Sequence, residues 1–216
     1  MNQFKAVIFD MDGVVVDTAI FHFEAWKRLT STFGFELPDA VNNQLKGVSR
    51  IDALKIILEF GKIWASTTEL ERLANLKNEW YLEYASGLTD KDILPGIPAF
   101  MEELKANNIP IGLASASKNA KPILEKIGLI DVFESIVDGL DTAKAKPDPE
   151  VFLKCAKNLE IDPANCLVIE DAKAGVEAAI NAGMKVIGIG TEEELGKANR
   201  VVSSTSFLTR KFIAEI

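Results

Sequence analysis

The stretch Phe4-Lys5-Ala6-Val7-Ile8-Phe9-Asp10-Met11-Asp12-Gly13-Val14-Val15-Val16-Asp17-Thr18 reads as a strand that runs straight into an acidic turn. Residues 4–9 are apolar apart from Lys5, include β-branched Val7 and Ile8, and give way to Asp10 and Gly13. An unbroken apolar run, in place of alternation, marks a strand covered on both faces, as in a parallel sheet. Working outward, residues 109–114, 166–169 and 186–189 repeat the pattern, each after a helical stretch and each ending in small or polar residues. The helices between them carry start and stop signals: Gly128 after Ile127, Gly183 after Ala182, and Asp148 before Pro149. Strand and helix in alternation predict an α/β fold built on a doubly wound, Rossmann-like parallel sheet.

Between about residues 18 and 88 the alternation stops. Apolar residues recur there at helical spacing: Phe23, Trp26, Leu29 and Phe33, then Leu54, Ile57 and Leu58, then Leu70, Leu73, Trp80 and Tyr84. Ser49-x-x-Asp52 and Ser66-x-x-Glu69 have the pattern of capping boxes that start two of these helices. Residues 18–88 are therefore expected to form an all-helical cap domain of about four helices, inserted into a discontinuous α/β core of residues 1–17 and 89–216. Pro95, Gly96 and Pro98 mark the return to that core. Length agrees, since 216 residues exceed the roughly 150 of one ordinary domain by about the size of such an insertion.

The 32 acidic and 24 basic residues leave a formal charge of −8, which repels nucleic acid and anionic membrane surfaces. An anionic substrate has to be captured locally, by particular cations, helix N-termini or a metal. Cys155 and Cys166 are too few for a disulfide framework and have no metal-ligand spacing with the single histidine, so both are expected to be buried thiols. No apolar run reaches the ~18 residues of a membrane span, and the first one is too short for a secretion signal. The expectation is a cytoplasmic, monomeric protein whose partner is a small molecule, with no nucleic acid and no membrane.

In a doubly wound sheet the ligand crevice lies beyond the carboxyl ends of the strands. There the sequence places Asp10 and Asp12, then Ser115-Ala116-Ser117-Lys118-Asn119, then Lys146-Pro147, then Glu170-Asp171. Carboxylate oxygens of this kind suit Mg²⁺, which takes one or two carboxylates together with phosphate and water. Asp-Met-Asp-Gly alone is also ordinary turn chemistry, and it is no EF-hand, because Val14 stands where that loop needs an oxygen ligand. Four motifs in this order, each directly after an expected strand, say more than any one of them.

Together they resemble the haloacid dehalogenase superfamily of phosphotransferases, and the likeness runs over essentially the whole chain, helical insertion included. The resemblance implies that Asp10 is a nucleophile converted to an aspartyl phosphate and that Asp12 is a general acid and base. It implies that Ser115, Ala116 and Lys146 hold the transferring phosphoryl group, and that Asp10, Asp12, Glu170 and Asp171 form a Mg²⁺ site. The segments HFEAW at 22–26, LKGVSR at 45–50, Lys77-Asn78 and ASASKN at 114–119 look like the sugar-phosphate mutases of that family. By this likeness Arg50, Ser117, Lys118 and Asn119 bind a second, non-transferring phosphate. Lys46, Gly47, Val48 and Ser49, with Trp26, would shape the sugar pocket, while Thr18, His22 and Lys77 would belong to a cap–hinge network that places Asp12. Ala172 is a departure, standing where many relatives carry a hydroxyl residue. The implied activity is Mg²⁺-dependent interconversion of β-D-glucose 1-phosphate and glucose 6-phosphate through β-glucose 1,6-bisphosphate. A sugar-phosphate phosphatase using the same aspartate is the alternative within enzymes. A phospho-aspartate signalling module is the remote alternative, and its single ordinary domain leaves no place for the helical insertion.

Overall fold

A computed structural model describes residues 4–216 of the chain. At its centre β1 (Ala6–Phe9) is buried along its whole length, as its unbroken apolar run requires. Around it β2 (Ile111–Ala114), β3 (Ser135–Val137), β4 (Cys166–Glu170), β5 (Lys185–Ile189) and β6 (Arg200–Val202) complete a six-stranded parallel sheet in the order β3-β2-β1-β4-β5-β6. The register sets Val7 opposite Ile111 on one side and Leu167 on the other. Strand order reverses at β1, so the ligand crevice of this topology opens beyond β1, β2 and β4. Asp10, Ser115 and Asp171 are the residues that follow those three strands.

Period-two alternation divides the buried strand residues between two apolar layers. Val7, Phe9, Leu113 and Ile169 pack under α5 (Ile97–Ala106) and α6 (Ala120–Lys126), with α10 (Arg210–Ile213) contributing Ile213. Ala6, Ile8, Val168 and Val186 pack against α7 (Glu150–Asn158) and α8 (Lys173–Asn181), with Leu195 of α9 (Glu192–Leu195) at the border. Both cysteines are free and lie buried in this second layer. No helix among the described residues is long and apolar enough to cross a membrane.

Between β1 and β2 the chain forms α1 (Ala19–Thr32), α2 (Asp39–Asn42), α3 (Arg50–Phe60) and α4 (Thr67–Tyr84), which share an apolar cluster of their own around Trp26, Leu29, Leu54, Ile57 and Leu73. The two segments joining these helices to the sheet run side by side. Val16 bridges Ile93, and the Leu94 amide donates to the Val15 carbonyl at 2.9 Å.

The structure differs from the sequence reading in detail. β3 and β6 are additional strands, each three residues long at an edge of the sheet, too short for a periodic signal. β1 starts at Ala6, two residues into its apolar run, although Phe4 is buried and the Lys5 amide still donates to Asn165. Ser49 and Ser66 cap α3 and α4 by accepting from the Asp52 and Glu69 amides, which is half of a capping box. The Asp52 carboxylate accepts from the Ser49 hydroxyl instead of from its backbone. A complete box is found at Thr89 and Asp92, in the segment returning to the sheet.

Candidate active site

Asp10 leaves the end of β1 with its carboxylate almost fully buried, and Lys146 reaches it from the loop before α7. The Lys146 ammonium donates to Asp10 Oδ1 and to Glu170 Oε1, both at 2.6 Å, and to the Ala114 carbonyl at 3.1 Å. All three donor positions of the ammonium are thereby used, which fixes it between the ends of β1, β2 and β4. Its pKa is raised by the two carboxylates, against the opposing effect of burial, so it stays charged. The second oxygen of Glu170, Oε2, accepts from the Ala172 amide at 2.8 Å.

Asp10, Glu170 and Asp171 bring one ligand atom each to within 4.8 Å of one another. Burial, with Glu170 and Asp12 adding like charge, pushes Asp10 up to about 8 in spite of Lys146. Asp171 is raised well above the usual carboxylate range, first by burial and then by Glu170 and Asp10, with Lys46 from the helical layer opposing. Three clustered acids beside one ammonium in a dry place can all ionise only if further positive charge joins them. A hard divalent cation fits that requirement and that all-oxygen donor set.

Two glycines make the cluster possible. A Cβ at Gly13, where φ is +81°, would fall 2.2 Å from Asp171 Oδ2, and one at Gly175 would fall 1.7 Å from Glu170 Oε1. Each carboxylate occupies the space a side chain would need.

Asp12 lies outside this cluster. Its Oδ1 accepts a hydrogen bond from the Thr18 hydroxyl and sits 3.8 Å from His22 Nε2. Burial raises its pKa, while the Thr18 hydrogen bond and the Lys77 charge pull the other way. Lys77 of α4 is 1% exposed and lies 2.6 Å from His22 Nδ1, over the faces of Trp26 and Tyr81. While Lys77 is an ammonium it donates to Nδ1 of neutral His22, whose ring proton is then on Nε2, facing Asp12; as an amine Lys77 can accept from Nδ1 instead. Burial, Lys77 and Arg50 hold His22 well below its ordinary pKa, and burial with Arg50 brings Lys77 down to about 7.

The loop after β2 folds on its own hydroxyls: Ser115 Oγ accepts from the Ser117 amide at 3.1 Å, and Ser117 Oγ from the Asn119 amide at 3.2 Å. Gly139 supports it from below, where a Cβ would meet the Ala116 carbonyl at 2.4 Å and the Lys118 stem at 3.1 Å. Asn119 donates across to Asn78 of α4 at 2.8 Å.

A cavity of about 760 Å³ lies between these elements. Its wall includes Asp10, Asp12, Ser115, Ala116, Lys146 and Asp171 at the strand ends, and Ser117 and Lys118 beside them. From the helical layer come His22, Trp26, Lys77 and the run Lys46, Gly47, Val48, Ser49 and Arg50. Of the residues singled out from sequence, Thr18, Asn119 and Glu170 stand behind the wall, each bonded to a residue at or near it. Asn75 and Glu71 of α4 and Thr142 and Lys144 near the mouth also line it, and nothing in the sequence pattern marked them. Gly175 had a readable signal, because glycine in a helix start weakens the helix unless something must approach closely.

A strand-end acidic cluster at the switch point of a parallel sheet, roofed by inserted helices, defines a capped, doubly wound α/β enzyme. Residues 4–183 match the haloacid dehalogenase-like hydrolases, and the chain belongs to that family. It is 45% identical over 213 residues to β-phosphoglucomutase of Bacillus subtilis, covering 98% of this chain and 94% of that one. The crystal structure of β-phosphoglucomutase from Clostridium difficile superposes with a TM-score of 0.94 at 44% identity, covering 98% and 96% of the two chains. A phosphorylated carbohydrates phosphatase of Thermotoga maritima is 32% identical, over 90% of this chain and 89% of its own.

Proposed function

We propose that the protein is a sugar-phosphate mutase that interconverts β-D-glucose 1-phosphate and glucose 6-phosphate through β-glucose 1,6-bisphosphate, with residues 18–88 acting as its cap. The observation that carries this reading is one cavity that is lined by cations in two groups, Lys146 beside Asp10 and Arg50 with Lys118, enough for two phosphates. Beside Asp10, Lys146 and the Ser115 hydroxyl would hold the transferring group, with the Ala116 backbone next to them. Arg50 from the helical layer, with Ser117 and Lys118 further along the loop after β2 and Asn119 behind them, would hold the other, and a guanidinium matches two phosphate oxygens at once. A phosphatase needs only the first place. The 45% identity to a β-phosphoglucomutase supports the same reading.

Asp10 and Asp171 would hold a Mg²⁺ ion, with Glu170 behind them, since both of its oxygens are already engaged by Lys146 and the Ala172 amide. The ion would neutralise the clustered carboxylates and the phosphoryl oxygens. With Asp10 phosphorylated, the 6-hydroxyl of the sugar attacks phosphorus as its proton passes to the Asp12 carboxylate. The bond from phosphorus to Asp10 breaks and its electron pair returns to the Asp10 carboxylate. The bisphosphate turns round, Asp10 takes the phosphoryl group from C1, and Asp12 returns its proton to the C1 oxygen. Once Asp10 is phosphorylated, the Lys146 hydrogen bond that Asp10 now accepts would pass to a phosphoryl oxygen, and Asp12 would carry the proton between the two steps.

The test is an assay with Mg²⁺, β-glucose 1-phosphate and a trace of bisphosphate that follows glucose 6-phosphate and inorganic phosphate separately. Glucose 6-phosphate should account for nearly all product. Phosphate release without it would establish the hydrolase alternative.

A further inference from the structure

Helix α8 starts without a side-chain cap. Its N-cap residue is Ala172, which makes no side-chain hydrogen bond, although that position favours Ser, Thr, Asp or Asn. Ser49 and Ser66 supply such caps to α3 and α4. The Ala172 methyl group lies against the loop before α3. Gly47 there has φ +72°, and a Cβ on it would stand 2.8 Å from Ala172 Cβ, with Ala174 Cβ and the Gly175 nitrogen each at 3.8 Å. Ala172 is 2% exposed, and its amide holds Glu170, whose other oxygen holds Lys146. The Gly175 amide, one of the two that a cap would serve, donates to the Ala172 carbonyl at 3.0 Å.

We propose that Ala172 and Gly47 form the seat of the cap: a bare methyl group meeting bare backbone, through which the helical layer closes over the cavity and keeps water from phosphorylated Asp10. Ala172 is thus a positioning residue that sets the partition of the phosphoryl group between sugar and water. The assignment rests on the mutase reading for its consequence and on the contact itself for its geometry. A Cβ at residue 47 overlaps the Ala172 methyl group and adds an unfavourable backbone angle, and enlarging residue 172 is the reciprocal way to load the same contact. The helix has forgone a cap where the loop must sit, which places a demand of closure above one of local stability.

The experiment uses the full-length enzyme and compares Ala172→Thr, Ala172→Gly and Gly47→Ala with the natural protein. Asp10 is phosphorylated with acetyl phosphate, and its lifetime against water, the product ratio and the melting temperature are read. Ala172→Thr should keep a melting temperature close to the natural one, because the cap it gains offsets the packing it disturbs, yet lose phosphate to water about tenfold faster. Ala172→Gly should stay within about twofold of the natural protein and, combined with Gly47→Ala, should restore part of what that substitution loses. A natural lifetime in Ala172→Thr would overturn the seat, as would a loss that follows a lowered melting temperature. If the natural enzyme itself makes phosphate and no glucose 6-phosphate, the mutase reading fails alone, and the relative lifetimes still decide the seat.

Discussion

Replacing Gly175 by alanine adds one methyl group where the structure has no room for it. Gly175 lies in the first turn of α8 without a left-handed backbone, so alanine there would on propensity alone favour the helix by about 1 kcal/mol. The new methyl would stand 1.7 Å from Glu170 Oε1 and 2.0 Å from its carboxyl carbon. Glu170 is fully buried, with Oε1 on Lys146 at 2.6 Å and Oε2 on the Ala172 amide at 2.8 Å, so the carboxylate has to leave both partners. Overpacking costs about 1–3 kcal/mol. Stripping one partner from a buried charged pair costs about 3–5 kcal/mol. Lys146 keeps Asp10, which places the second figure at its lower end, and after the helix gain the net loss is about 4 kcal/mol. At roughly 2–4 °C per kcal/mol for a chain of this size, the melting temperature should fall by about 10 °C. Thermal unfolding by circular dichroism at neutral pH, with chelator present, measures it. Shortening the acid, in Gly175→Ala with Glu170→Asp, should recover part of the loss. A single variant that melts within about 1 °C of the natural protein and keeps full activity would refute the close packing of Gly175 and Glu170.

Other substitutions test other parts of the site. Lys77→Met removes a buried amine whose pKa the fold lowers to about 7, against about 10.4 in an unfolded chain. Below pH 7 the natural protein carries the full penalty of a buried charge, and the penalty fades as pH rises towards 10.4, so the stability of the variant relative to the natural protein should be greatest at pH 6 and shrink by pH 9.5. A pH-independent difference in melting temperature would contradict the lowered pKa. Arg50→Ala should cut isomerisation at least a hundredfold while leaving phosphorylation of Asp10 by acetyl phosphate within about threefold, as stopped-time product analysis would show. Removing divalent cations with a chelator should confine Asp10 phosphorylation to the more alkaline range, with its acid limb near the raised value of about 8, and added Mg²⁺ should move that limb to lower pH. An unchanged pH profile would remove the cation from the Asp10 cluster.

The central strand was legible because β1 is apolar on both faces, and the order of the four motifs followed from strand ends that the topology gathers at one crevice. The helical insertion was equally plain, since Trp26, Leu29, Leu54 and Leu73 keep a helical period over a long stretch. What escaped was short or dependent on distant neighbours. Ser135–Val137 and Arg200–Val202 owe their strand form to pairing with β2 and β5, not to three residues of pattern. The turn of the Asp12 carboxylate towards Thr18 and His22, outside the Asp10–Glu170–Asp171 carboxylate cluster, depends on helix packing that brings Lys77 up from α4 to His22. The Asn78–Asn119 bond joins residues far apart in sequence and carries no local signal at all.

The most direct measurement is a single turnover from the phosphorylated enzyme. Asp10 is labelled with radioactive acetyl phosphate, freed of donor, and mixed with excess β-glucose 1-phosphate in the presence of Mg²⁺, and the label is followed by chromatography within the first turnover. The proposed pair of phosphate places in one cavity predicts that the label passes to the sugar, first as the bisphosphate and then as glucose 6-phosphate. Label recovered as inorganic phosphate, with the sugar unlabelled, would contradict the account.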